Sequence, residues 1–115
     1  MQGGDIILTP LPQADGEVKN RPALVLCRMR PFDDLMVCGI STQARLQVSD
    51  FDEFIGQDAP DFVASGLAVP SLIRLGFVST VAVSAVKGRI GSVDQTRYRK
   101  LVARLVDYLS RAANR

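Results

Sequence analysis

Histidine is absent from the 115-residue chain. That absence excludes Ser-His-Asp and Cys-His nucleophilic centres, imidazole general acid–base catalysis and most catalytic zinc sites. Any chemistry must come from guanidinium, ammonium, carboxylate, hydroxyl or thiol groups. There are only two cysteines, Cys27 and Cys38. Both lie in apolar runs, where free Cys acts as a small buried hydrophobe, and their spacing matches neither a zinc pattern nor a disulfide framework. No apolar run approaches the roughly 20 residues needed to cross a bilayer. The opening MQGGDII lacks the basic and apolar regions of a secretory signal, so a cytoplasmic protein is expected. No repeats or low-complexity segments are present. The acidic stretch DFDEF fits no calcium loop, and neither a metal nor a cofactor is expected.

What is present is enough apolar content, 47% against 23% charged residues, to pack a core. The length suits one domain, residues 1–115. GDIILTPL reads as a first strand. Asp15-Gly16 marks a hairpin turn because both residues tolerate positive φ. RPALVLC reads as a second strand buried on both faces, with Pro22 suited to its first position or to an edge and not to its centre. Leu35–Ser41 reads as a third. Residues 43–66 read mostly as loop, with a strand around Leu46–Phe51 and the acidic stretch Asp50–Phe54 as a solvated loop. Residues 68–83 carry one or two further strands, and GRIGS a last one. Tyr98, Leu101, Val102, Leu105, Val106, Leu109 and Ala112 recur at helical spacing, and Ser92 with Gln95 forms a capping box for that helix. The fold class is therefore mainly β with a C-terminal α-helix, built as a small curled sheet or barrel.

Net charge is +2, yet Asp50–Asp61 holds five acids and no base, while Lys87–Arg115 holds eight bases and two acids. A basic helix surface can attract phosphate or simply be solvated. A sharper signal comes from strand ends. Arg21 opens the second strand and Ser41-Thr42 closes the third. Antiparallel pairing would bring them together. A guanidinium beside a hydroxyl suits a phosphate: Arg gives bidentate donors, and Ser or Thr donates to developing negative charge. The plain alternatives are an ion pair of Arg21 with Asp15 or Glu17, Ser41-Thr42 serving as turn residues, and an ion pair of Arg74 with the acidic segment.

The ordered elements GDIILTPLP, DG, NRPALVLC, VCGISTQ, SGLAVPSLIRL and a terminal helix, from Gly4 to about Leu109, resemble the MazF/PemK family of type II toxins. The resemblance implies an SH3-like barrel, usually a homodimer, that cleaves single-stranded RNA selectively without metal. The RNA 2′-hydroxyl attacks the adjacent phosphate, leaving a 2′,3′-cyclic phosphate and a 5′-hydroxyl. It implies Arg21 and Ser41 as the catalytic pair. It also implies Asp15, Glu17, Lys19, Asn20, Thr42, Gln43 and Arg74 around the RNA, and a cognate antitoxin that fills the groove. The hydroxyl is Ser where Thr is commoner in the family. Arg74 is followed by Leu75 and Gly76, so an acid that some members carry two residues after this Arg is missing. There are two other readings: a growth inhibitor like the CcdB gyrase poisons, against which the R-P and S-T-Q elements argue, and a catalytically silent barrel that binds RNA or a partner, which the missing acid keeps open.

Overall fold

The computed structural model describes every residue, Met1–Arg115. The strands are β1 (Asp5–Pro12), β2 (Val18–Met29), β3 (Asp34–Ser41), β4 (Glu53–Ile55), β5 (Ser71–Val81) and β6 (Gly88–Ser92). They form one antiparallel sheet in the order β4-β5-β3-β2-β1-β6, curled into a half-barrel. A single helical turn, α1 (Phe62–Ser65), precedes β5, and a long helix, α2 (Gln95–Ala113), ends the chain.

The central strands are buried on both faces because their apolar residues run without interruption. Ala23 and Val25 of β2 join Ile7, Leu11, Leu35 and Val37 on one side. Leu24 and Leu26 join Ile6, Cys38, Ile40, Ile73 and Leu101 on the other, under α2. Each fully buried aliphatic side chain contributes roughly 1.5–3 kcal/mol of transfer free energy. Burial, and then the charge of Asp52, push the Cys38 thiol up to about 12. That sulfur is a packing group, as its apolar setting in the sequence implied. The Asp15-Gly16 turn forms between β1 and β2, with Gly16 at φ +85°.

Three local expectations are corrected. The strand in the acidic segment is Glu53–Ile55, not Leu46–Phe51. Residues 48–52 instead close a turn, because the Val48 N–H donates to the Asp52 carboxylate at 2.9 Å. Helix α2 is capped by Asp94 rather than by Ser92. The Asp94 carboxylate accepts the Arg97 N–H at 2.8 Å, while Ser92 still belongs to β6. Strand β2 begins at Val18, so Pro22 stands inside it, not at its start. Val25 gives its carbonyl to Gly4 on the β1 side, and alternation then turns the Pro22 nitrogen toward β3. Proline has no donor to offer there, and the β2–β3 ladder begins only at Ala23. Beyond that point the two strands are free to part.

The acidic segment is not solvated either, because the basic helix answers it. Asp52 and Asp61 are buried. Arg97 donates to both oxygens of Asp61, at 2.9 and 3.2 Å, and to Glu53 at 3.1 Å. Arg104 and Lys100 also reach Glu53, at 3.0 and 3.5 Å. Part of the charge asymmetry of the sequence is thus an internal bolt between α2 and the β4 region.

This bolt is sensitive to acid. Burial by itself raises the Asp61 carboxyl. The Arg97 guanidinium and the Asp94 N–H outweigh it and hold the group below its ordinary value. A carboxyl depressed in the folded state stabilises the fold above its unfolded value, about 3.9, and that gain is lost as pH falls through the folded value. Thermal melts are therefore expected to drop steeply below about pH 4. Asp61→Asn is expected to be less stable at neutral pH and to flatten this part of the profile.

Candidate active site

Where β2 and β3 part, a cleft of about 590 Å³ opens. The β2–β3 register pairs Ala23 with Gly39. Arg21 and Ser41 each lie two residues beyond this last pair, and both line the cleft. Thr42, Gln43 and Arg74 line it too. The sequence-based pair is therefore brought to one place by strand register.

The 15 lining residues include three cations, Arg21, Arg45 and Arg74, and no carboxylate. None of the three makes an ion pair. Glu17 pairs with Lys19, at 3.8 Å, and Asp15 accepts the Glu17 N–H inside its own turn. The acids of the β4 region are taken by α2. The plain alternatives for Arg21 and Arg74 are thus not realised. Uncompensated guanidinium groups facing one cavity create a positive potential suited to a polyanion.

Ser41 makes the local turn contact that its plain reading expected, and keeps a donor to spare. Its oxygen accepts the Gln43 N–H at 3.1 Å. The amide occupies a lone pair, leaving the hydroxyl proton free to donate into the cleft. The Gln43 side chain in turn accepts from Arg45 at 2.6 Å. Thr9 Oγ1, which is buried without a hydrogen-bond partner, stands across the β1–β2 ladder from Arg21. Unsatisfied buried groups are rare in native folds and tend to collect near functional sites.

The floor is shaped by a wide bulge. Pairing of β3 with β5 jumps from Cys38–Val78 to Gly39–Arg74, so Leu75, Gly76 and Phe77 have no β3 partner. Phe77 swings over Gly39, where even a Cβ would come within 3.2 Å of the ring. Gly76 sits exposed in this bulge with open space beside it. Asp52 sets the geometry from behind. One carboxylate oxygen accepts the Leu75 N–H at 3.0 Å, and the other accepts from Val48. A single buried acid thus ties the Arg74–Phe77 bulge to the loop that follows Ser41.

Not every candidate reaches the cleft. Asp15, Glu17, Lys19 and Asn20 are exposed around the hairpin, while Gln13 and Ala14 supply the lip. Arg45, Phe77 and Ser71 line the cleft and were not singled out in the sequence. Arg45 arrives through a 3-10 turn, Ala44–Leu46, and Phe77 through the bulge. Neither device has a clear sequence mark.

A curled half-barrel with a terminal helix and an arginine-lined cleft where β2 and β3 part defines a small β-barrel protein with a cationic site. The fold is similar to that of the Mycobacterium tuberculosis toxin MazF-mt6. The TM-score is 0.65 at 20% identity, over 92% of this chain and 96% of that one. A search of the curated proteins gave no match. The family model for the PemK-like, MazF-like toxin of type II toxin-antitoxin systems matches residues 2–109. The chain belongs to that family, and membership implies an antitoxin partner.

Proposed function

We propose that this chain is a metal-independent endoribonuclease, one toxin domain over residues 1–115, that cuts single-stranded RNA in the cytoplasm. It acts as a homodimer and is held inactive by its antitoxin. The observation that carries the reading is the meeting of Arg21 and Ser41 in a cleft with three unpaired arginines and no carboxylate. No helix is long and apolar enough to cross a membrane.

In this reading the scissile phosphate sits between Arg21 and Ser41. The RNA 2′-oxygen attacks phosphorus and the bond to the 5′-oxygen breaks, giving a 2′,3′-cyclic phosphate and a 5′-hydroxyl. The 2′ proton leaves to solvent, and the departing oxygen is protonated in its place. Charge accumulates on the non-bridging oxygens as phosphorus becomes five-coordinate. Arg21 meets that charge with two donors and Ser41, whose oxygen is held by the Gln43 N–H, with one, which stabilises the charge electrostatically. Arg74 and Arg45 hold neighbouring phosphates. Phe77 offers an aromatic face on which a base can stack, worth about 1–3 kcal/mol in such sites. Thr42 and Gln43 supply hydrogen bonds that read base edges, and Asp15, Glu17, Lys19 and Asn20 meet RNA that extends past the hairpin. No acid at position 76 is required, because Arg21 and Ser41 supply the charge stabilisation.

The test is incubation of purified, antitoxin-free protein with a long single-stranded RNA in EDTA, with analysis of the new ends. Discrete cuts with 5′-hydroxyl and cyclic-phosphate ends are expected. Intact RNA with folded protein would overturn the reading and favour a protein-binding growth inhibitor, for which inhibition of gyrase is the matching assay.

A further inference from the structure

Away from the cleft, three of the chain's five sulfur-bearing side chains converge. The Cys27 thiol sulfur lies 3.6 Å from the Met29 thioether and 4.0 Å from that of Met36. A thiol has one proton and cannot serve both sulfurs. The arrangement is produced by the fold and not by sequence adjacency alone. The β2–β3 register slips between Val25 and Cys27, so Leu26 is an extra residue and Cys27 falls opposite Met36. Bulges of this kind re-aim side chains. Cys27 is half-buried and Met29 is 42% exposed, so the cluster is open to solvent on one side.

We propose that Cys27, Met29 and Met36 bind one soft monovalent metal ion, reduced copper. One thiolate and two thioethers select soft ions over calcium or magnesium, and the lack of any imidazole or second thiolate makes the set poorer for zinc than for reduced copper. A metal–sulfur bond of about 2.3 Å places the corners of a trigonal site about 4 Å apart, close to both sulfur separations here. The unbranched thioether arms adjust to complete the triangle. Binding exchanges the Cys27 thiol proton for the metal: the S–H bond breaks, the sulfur–copper bond forms, and the proton goes to solvent with no change in oxidation state. The cation cancels the thiolate charge, so the half-buried site stays neutral. Cys27 is six residues from Arg21 along β2, roughly 20 Å at strand rise, so the site is separate from the cleft.

The test uses the whole protein under anaerobic conditions with Cu(I) held by a coloured chelator. Wild-type protein is expected to withdraw one equivalent, and X-ray absorption to show three sulfur neighbours. Cys27→Ser is expected to weaken binding at least 100-fold, and Met29→Leu or Met36→Leu about tenfold each, with circular dichroism confirming that each is folded. Cys38→Ala is expected to keep the stoichiometry. No transfer of copper to the wild type would overturn the site. So would unchanged affinity in both Met variants, since the metal would then be caught by a lone thiolate.

Discussion

Replacing Arg21 with Ala is expected to lower the single-turnover rate of RNA cleavage by about 10³–10⁵-fold, the range seen when a transition-state arginine is removed from a phosphoryl-transfer site. The cleft has two other unpaired arginines but no second guanidinium across from Ser41. RNA affinity is expected to fall less than about tenfold, because Arg45 and Arg74 still contact phosphates and the lost interaction is made mainly in the transition state. Arg21→Lys should recover only part of the rate, since an ammonium keeps the charge without the bidentate fork. Quench-flow rates beside equilibrium binding on a non-cleavable RNA separate the two effects. A variant that loses binding and cleavage in equal measure would make Arg21 a general phosphate contact.

Arg97→Ala is expected to give the opposite pattern. Its guanidinium is nearly buried and answers Asp61 and Glu53, whose side chains are 3% and 16% exposed. Removing it strands these acids in the interior, which typically costs about 3–5 kcal/mol. For a domain of this size that lowers the melting temperature on the order of 10–25 °C. Asp61→Asn in the same chain should return part of the loss by removing one orphaned charge. Cleavage per folded molecule should stay within about threefold, because Arg97 does not line the cleft. Calorimetry with activity measured below the melting transition checks both halves.

These two arginines show what was legible in the sequence. Arg21 and Ser41 could be paired on paper because a short connection between two apolar runs implies antiparallel pairing. The central strands, the Asp-Gly hairpin and the terminal helix rested on equally local signals. Arg97 looked like one more charge on a basic helix, and Asp61 like one more acid in a long loop. Their pairing spans 36 residues and depends on how α2 crosses the sheet. The same limit hid Asp52, whose two hydrogen bonds fix the loop after Ser41 and the β5 bulge. Asp94 displaced Ser92 as the helix cap because β6 runs through Ser92, and both residue types cap equally well on paper. Arg45 and Phe77 were missed because a 3-10 turn and a three-residue bulge carry them in.

The most direct measurement of the central claim, that Arg21 and Ser41 act together on one phosphate, is a double-mutant cycle. Single-turnover rates would be measured at one defined RNA bond for the wild type, Arg21→Ala, Ser41→Ala and the double variant. Ser41→Ala alone is expected to lose about 10²-fold, as for a single preorganised donor. The double variant should then be little slower than Arg21→Ala, because groups that act as a unit are strongly non-additive. Losses that simply multiply, or a Ser41→Ala enzyme as fast as the wild type, would contradict a shared phosphate.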